Sequence, residues 1–225
     1  MTMKEAAERT AAAVRFVEIT DAFASVDWWL HPLEGFALME VARLGEGTGQ
    51  IVEIGSFKGR STCWLALGAR DGKRGPVYAI DPFTGSPEHQ KGGKYEVAEI
   101  VAVGSTFPAF EENLRRMGLI EHVRPIKLAS LEAAKQWKLG AIRLLFIDGD
   151  HSYEVARSDI ANFAPLVEPG GYIVIDDAAT DLPGSGYFKG MKEVSRACRE
   201  LERRSDFVNV LNVGHNRIFR RLYSE

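Results

Sequence analysis

Short apolar segments alternate with helical patterns along most of this chain, and that alternation constrains the fold more than any other feature. The apolar segments do not alternate with polar residues, so we expect both faces of each strand to be buried. Continuously apolar strands separated by helices are typical of a parallel sheet that is covered by helices on both sides. The predicted strands are residues 51–54, 77–80, 122–128, 143–147 and 171–175. The sequence therefore predicts an α/β fold with a doubly wound sheet.

Helical spacing of apolar residues fills the intervals between these strands. Helices are predicted over residues 4–19, 33–44, 62–70, 106–117, from 130 onward, 153–164 and 188–203. Residues 82–103 contain Gly, Pro and Lys with little periodicity, so we expect a long, partly helical loop beside the site. Near the C-terminus, FVNVLNV and RIFRRL flank a Gly-His-Asn turn, which predicts an antiparallel hairpin. We expect an N-terminal helical extension over residues 1–45 and a single ligand-binding domain over residues 46–225.

The charge and the cysteine content disfavour several classes of protein. Lys and Arg total 28 against 31 Asp and Glu, which gives a net charge of −3, whereas proteins that bind nucleic acid usually have a strongly basic face. No apolar run is long enough to span a membrane, and the charged N-terminal residues do not resemble a secretory signal. Two cysteines without a pairing pattern are typical of a reducing compartment. We therefore expect a cytoplasmic protein whose partner is neither a nucleic acid nor a membrane.

A glycine-containing turn follows the first predicted strand, in the segment IVEIGSFKGRST. Gly55 and Gly59 let the chain turn sharply and bring the backbone close to a ligand. Their G-x-x-x-G spacing differs from the G-x-G-x-x-G of dinucleotide sites, because Phe57 stands where the middle glycine would be. Asp81 follows the second strand, where a carboxylate can bind ribose hydroxyls. The pattern predicts a ligand with a ribose and no phosphate at the turn; the alternative is a purely structural turn followed by a capped loop.

Carboxylates also follow the fourth and fifth predicted strands. Asp148, Asp150 and His151 come directly after the fourth strand, and Asp176 and Asp177 come directly after the fifth. If these strands are neighbours, three or four carboxylates meet in one cleft, where their repulsion favours protonation or a bound cation. Carboxylate oxygens suit Mg²⁺, Ca²⁺ or Mn²⁺, and an imidazole can accept a proton near neutral pH. Taken singly, an acid after a strand more often caps the next turn or helix.

Four segments then carry a resemblance to a known family: VEIGSFKGRST, VYAIDPF, LLFIDGDHSYE and PGGYIVIDD. In this order and spacing they resemble the class I S-adenosylmethionine-dependent methyltransferases. More narrowly, they are similar to the branch with the antibiotic-tailoring O-methyltransferases and the cephalosporin-hydroxylase-like proteins. The resemblance extends from about residue 30 to the end of the sequence. It implies a single-domain, Rossmann-like, mostly parallel sheet of seven strands with a reversed final strand, in agreement with the predicted hairpin.

The resemblance also implies roles for individual residues. S-adenosylmethionine would be bound by Glu53, Gly55, Ser56, Gly59, Asp81, Ser130 and Asp148. Within that set, Asp81 would bind the ribose hydroxyls and Ser130 would lie beside the adenine. Mg²⁺ or Mn²⁺ would be held by Asp148, Asp176 and Asp177. Asp148 and His151 would be the catalytic residues, with the imidazole as general base where related catechol and caffeoyl-CoA methyltransferases carry a lysine.

The implied reaction moves a methyl group from the sulfonium to an oxygen of a small molecule, such as a catechol-like ring or a sugar diol. Trp28, Trp29, His31 and the 82–103 loop are candidates for the acceptor pocket, although an aromatic pair more often serves packing. Alternatives from other classes are a metal-binding, hydroxylase-like enzyme on the same fold and a noncatalytic cofactor-binding module. A nucleic-acid methyltransferase is disfavoured by the charge and by the lack of an N-P-P-Y-like motif. A homo-oligomer stays open, because an amphipathic N-terminal helix often packs on a partner.

Overall fold

The computed structural model describes residues 2–26, 29–178 and 190–223. The strands of this part of the chain are β1 (Gln50–Ile54), β2 (Val77–Ile80), β3 (Val123–Ile126), β4 (Ile142–Ile147), β5 (Val167–Ile175), β6 (Phe207–Val213) and β7 (Asn216–Arg221). They form one seven-stranded sheet in the order β3-β2-β1-β4-β5-β7-β6. The first five strands are parallel, whereas β7 runs antiparallel to both β5 and β6. This topology confirms the predicted mostly parallel sheet with a C-terminal antiparallel hairpin.

The helices are α1 (Met3–Phe23), α2 (Pro32–Leu44), α3 (Arg60–Asp71), α4 (Ala98–Val103), α5 (Phe107–Arg116), α6 (Ser130–Gln136), α7 (Tyr153–Phe163) and α8 (Lys192–Glu202). Residues 82–103 contain a short 3-10 helix, Pro87–His89, followed by α4, as expected for a partly helical loop. The start of the predicted helix 188–203, residues 188–189, and Trp28 lie outside the described residues. Across the described parts of the chain, no helix combines the length and the hydropathy needed to cross a bilayer.

Strand β4 lies in the middle of the sheet, and all six of its residues are buried. Leu144 and Phe146 belong to the hydrophobic layer that contains Trp64 of α3. Leu145 and Ile147 belong to the opposite layer, which includes Phe163 of α7. Because successive side chains of a strand point to opposite faces, a strand covered on both sides must be apolar at nearly every position. The carboxyl ends of these buried strands are thereby fixed relative to one another.

The charged residue of β4 attaches the N-terminal segment to the sheet. The guanidinium of Arg143 donates hydrogen bonds to the carbonyls of Ala42 (2.9 Å) and Gly45 (2.6 Å) at the end of α2, where carbonyls lack partners within the helix. Burial lowers the pKa of Arg143 to about 10. Leu38 and Met39 of α2 are fully buried in the same layer as α3, whereas α1 is largely exposed. The predicted boundary between residues 1–45 and 46–225 therefore separates segments that share one hydrophobic core. That the two segments differ in function stays a prediction.

Candidate functional site

A cavity of about 920 Å³ opens at the carboxyl ends of β1, β2, β4 and β5. Eight of the ten residues predicted for the site line it: Gly55, Ser56, Asp81, Ser130, Asp148, His151, Asp176 and Asp177. The other two, Glu53 and Gly59, are not part of its lining. The glycine turn and the carboxylates at the carboxyl ends of the strands therefore line one connected cavity.

The turn after β1 is built from backbone contacts that exclude larger side chains. Gly55 adopts a left-handed φ of +84°, and a Cβ at this position would collide with the carbonyl oxygen of Asp148. The amides of Ser56 and Phe57 both donate to Oδ2 of Asp81 at 2.8 Å. Oδ1 of the same carboxylate accepts from the amide of Phe83 at 2.5 Å. Asp81 therefore holds the ends of β1 and β2 together as well as facing the cavity.

Glu53 supports this turn from beneath the cavity. Its side chain is completely buried, and Oε2 accepts hydrogen bonds from the hydroxyls of Ser56 (2.7 Å) and Thr62 (2.5 Å). Burial raises the pKa of Glu53 to about 7. Gly59 has a φ of +88° and precedes the first residue of α3, against the ring of Phe110. Both residues shape the turn, and their direct contact with a cofactor stays a prediction.

An acid and histidine centre lies at the ends of β4 and β5. Asp148, His151 and Asp177 bring one potential metal-binding atom each to within 4.8 Å of one another. His151 is held on both sides: Nδ1 is 2.8 Å from Oε1 of Glu88, and Nε2 is 3.3 Å from Oδ2 of Asp177. Burial, and then the neighbouring carboxylates of Asp176 and Asp177, raise the pKa of Asp148 well above its ordinary value. The centre therefore favours either a proton or a cation among its carboxylates.

Asp176 is grouped with neighbours that the sequence did not indicate. Its carboxylate lies within 4.8 Å of potential ligand atoms of Glu34, at the start of α2, and His215, in the β6–β7 turn. The adjacent Asp177 adopts a left-handed φ of +53°, a conformation that Asp and Asn tolerate better than most residues. The side chains of Asp176 and Asp177, although adjacent in sequence, can therefore belong to different clusters. The three predicted metal ligands thus fall in two adjacent clusters, which are joined by a contact of 3.3 Å between Oδ1 of Asp177 and Nδ1 of His215.

Aromatic rings form part of the cavity wall. Trp29 stacks on Phe57, with ring centroids 5.0 Å apart, and on His89, at 5.3 Å. Tyr95 meets the same indole edge-on at 6.1 Å. All four rings line the cavity, as does His31, and Trp29 is 54% exposed. Burial lowers the pKa of His89. Except for Phe57, which belongs to the glycine turn, these residues come from the segment and the loop that were predicted to surround an acceptor.

Sequence patterns did not reveal several of the cavity residues. His89 and Tyr95 of the cavity wall, and Glu88, which contacts His151, lie in a loop that was predicted only as a whole, because no spacing rule marks individual residues there. Glu34 follows the N-cap residue of α2 by three positions and forms a capping box. Helix capping alone therefore explains a glutamate at this position. His215 lies in a hairpin turn, where polar residues are ordinary. Only the fold brings these side chains to the carboxylates.

Comparison with known proteins identifies the family. A family model described as a methyltransferase domain matches residues 52–178, which is more than half of the chain. The chain belongs to this methyltransferase family. A Streptomyces olivaceus protein, 8-demethyl-8-(2,3-dimethoxy-alpha-L-rhamnosyl)-tetracenomycin-C 4'-O-methyltransferase, is 31% identical over 147 residues, 59% of this chain and 54% of that protein. The chain spans about half the length of the curated relatives that it matches.

Solved structures share the fold across nearly the whole chain. One is the O-methyltransferase TomG of Streptomyces achromogenes, involved in tomaymycin synthesis and solved with S-adenosylmethionine; its TM-score is 0.60 at 19% identity, over 94% of this chain and 90% of that one. Another is a methyltransferase of Podospora anserina bound to S-adenosylhomocysteine, with a TM-score of 0.61 at 18% identity, over 98% and 97% of the two chains. These likenesses and the family match confirm the class and the fold predicted from the sequence.

Proposed function

We propose that the protein is an S-adenosylmethionine-dependent O-methyltransferase, assisted by a divalent metal, that acts on a hydroxyl group of a small molecule. The observation that carries the proposal is a single cavity that joins the glycine turn and Asp81 to the centre of Asp148, His151 and Asp177. Family membership supports the reaction class. The O-methyltransferase from Streptomyces olivaceus and the TomG complex support the cofactor and the oxygen acceptor by analogy.

In this proposal the cofactor occupies the part of the cavity beside the glycine turn. S-adenosylmethionine supplies a methyl group on a positively charged sulfur. Oδ1 of Asp81 accepts one hydrogen bond from a described residue, so it retains capacity for a ribose hydroxyl. Ser130 lies on the adjacent wall beside Asp159, whose pKa is raised to about 6 by burial, and this pair would face the adenine. A carboxylate at Asp148 would attract the positive sulfur, while Glu53 and Gly59 keep the turn in shape.

We assign Mg²⁺ or Mn²⁺ to the carboxylates of Asp148, Asp176 and Asp177. The residues fit such an ion because burial and mutual repulsion raise the pKa values of Asp148 and Asp176, and a cation reverses both effects. In addition, Asp148 and Asp177 bring carboxylate oxygens to within 4.8 Å of each other. A divalent ion at this position would polarise the acceptor hydroxyl and favour its deprotonation.

His151 is the proposed general base. A hydrogen bond from Nδ1–H to Glu88 would fix the ring and leave the lone pair on Nε2, the nitrogen nearer to Asp177. That nitrogen lies at the acid centre, on the wall of the cavity where an acceptor hydroxyl would lie. Glu88 would also stabilise the imidazolium that forms when the proton is accepted. The loop that carries Glu88 therefore contributes to the reaction centre as well as to the wall of the pocket.

The aromatic wall would hold the acceptor. The rings of Trp29, Phe57, His89 and Tyr95 pack against one another and line the same cavity as the carboxylates. Flat rings and sugar rings both pack on aromatic side chains, and both a catechol and a sugar diol offer adjacent oxygens to a metal. We therefore propose a catechol-like ring or a sugar diol as the acceptor class. The cytoplasmic location, the absence of nucleic-acid and membrane partners, and a homo-oligomer stay predictions of the sequence.

Calorimetric titration with S-adenosylhomocysteine, with and without Mg²⁺, tests the binding part of this proposal. A screen of phenolic and sugar acceptors, followed by release of S-adenosylhomocysteine, tests the transfer. We expect binding, and release that requires both a metal and an acceptor. Binding without transfer to any acceptor would favour the hydroxylase-like or noncatalytic alternatives. A thermal shift with NAD⁺ and none with S-adenosylhomocysteine would contradict the cofactor assignment.

A further inference from the structure

A second group of metal-binding side chains lies next to the centre described above. Glu34, Asp176 and His215 bring one potential ligand atom each to within 4.8 Å of one another. Glu34 is 2% exposed and Asp176 is 5% exposed. The three residues come from the start of α2, the end of β5 and the β6–β7 turn, and all three line the cavity. We call this group the inner cluster.

Asp176 carries an unsatisfied oxygen within the inner cluster. Oδ1 is shielded from solvent, and none of the described residues donates a hydrogen bond to it. A buried carboxylate oxygen without a partner is costly, so its place is normally taken by a donor, a water or an ion. The carboxylates of Glu34 and Asp176 are both buried here, and a cation relieves such a local concentration of negative charge.

Two hydrogen bonds already orient the carboxylate of Glu34 for contact with a cation. Oε2 accepts the amide hydrogen of His31 at 2.8 Å, and Oε1 accepts the amide hydrogen of His215 at 2.6 Å. These bonds fix the carboxylate between the start of α2 and the hairpin turn. Each carboxylate oxygen has two acceptor positions, so one bond at each leaves capacity for an ion. The hydrogen bonds therefore act as the outer support that metal ligands usually have.

We propose that Glu34, Asp176 and His215 bind a second divalent cation, of the transition-metal class, such as Mn²⁺, Fe²⁺ or Zn²⁺. An imidazole beside two carboxylates favours these ions over Mg²⁺, which prefers oxygen ligands alone. Three protein ligands leave coordination positions open toward the cavity. Asp176 would serve both ions through its two oxygens, and Glu34 belongs to the inner cluster alone, whereas Nδ1 of His215 also lies 3.3 Å from Oδ1 of Asp177. The inference goes beyond the proposed methyl transfer and does not depend on it.

Mn²⁺ binding to the whole chain tests the inference, with free Mn²⁺ measured by its electron paramagnetic resonance signal and no cofactor or acceptor added. We expect the wild type to bind two equivalents. His215→Asn keeps the backbone amide that supports Glu34 and should lose one equivalent. Asp148→Asn should lose the other equivalent. His122→Asn, in a short 3-10 helix outside the cavity lining, is the matched control and should keep both.

Glu34→Gln provides a second test of the inner cluster, because the amide side chain keeps an acceptor oxygen. It should also lose one equivalent, and circular dichroism and thermal unfolding confirm that each variant is folded. Two equivalents in both His215→Asn and Glu34→Gln would overturn the inference. If the wild type binds one equivalent, which Asp148→Asn abolishes and His215→Asn keeps, the inner cluster holds no ion and the proposed catalytic metal stands. If one equivalent is lost in His215→Asn and none in Asp148→Asn, the inner site stands and the proposed catalytic metal is wrong.

Discussion

Replacement of Glu53 by Gln removes an ionisable group that lies completely buried beneath the glycine turn. Burial raises the pKa of this carboxyl from 4.5 to about 7, so the native state holds the proton more tightly than the unfolded chain does. The stability that comes from this protonation is fully present below the unfolded pKa and is lost as the pH rises through the folded pKa. At about 1.4 kcal/mol per pKa unit, the shift corresponds to about 3 kcal/mol.

Urea unfolding of the ligand-free proteins measures this effect from pH about 4 to pH about 9. The amide of Gln is neutral throughout and can accept the hydrogen bonds of Ser56 and Thr62 as the protonated carboxyl does. We expect the free energy of unfolding of the wild type, minus that of Glu53→Gln, to fall by about 3 kcal/mol across this range. Glu121→Gln, at an exposed position, is the control and should show an almost constant difference. Parallel curves for wild type and Glu53→Gln would refute the reasoning, because Glu53 would then ionise equally easily in both states.

Three further predictions concern the site. Asp81→Ala should weaken binding of S-adenosylhomocysteine by roughly 1.5–3 kcal/mol, since charge-assisted hydrogen bonds are lost; unchanged affinity in calorimetry would contradict the ribose assignment. Excess EDTA should abolish methyl transfer, Mg²⁺ or Mn²⁺ should restore it, and Asp176→Asn should impair it severely because an amide is a weaker ligand for a hard cation; full activity in chelator would contradict the metal assignment. His151→Ala should lower kcat by about 10²-fold with little change in cofactor affinity. If the mutant keeps both the kcat and the pH–rate profile of the wild type, the proton leaves by another route.

The fold was predictable because burial on both faces of a strand leaves a local trace in the sequence. Residues 143–147, five of the six residues of β4, and the apolar end of β5 could be recognised in this way. The first half of β5 was missed, since Pro169 and Gly170, with a φ of +81°, interrupt the pattern at the place where the register with β4 also shifts. Acids at strand ends were predictable for a related reason: in a parallel sheet, the ends of the strands meet at one edge.

The neighbours of those acids were not predictable from local patterns. Glu34 has a complete local explanation as part of a capping box, and His215 has one as a turn residue. Their meeting depends on how α2 packs against the hairpin, which is a long-range property of the fold. For the same reason, the sequence did not indicate that Asp176, which lines the cavity, lies beside Glu34 and His215.

The contact between Glu34 and His215 also has a consequence for the order in which the molecule is assembled during synthesis. The hydrogen bond between them joins residues that are 181 positions apart. At about 5–20 residues per second, a ribosome needs roughly 9–36 seconds to add the residues between them. During that time the carboxylate of Glu34 lacks its partner from the hairpin, although α2 and its capping box can already form. The inner cluster is therefore completed only when the hairpin forms, after the parallel strands have been synthesised. An ion bound by the completed cluster would then enter through the cavity of a nearly complete fold.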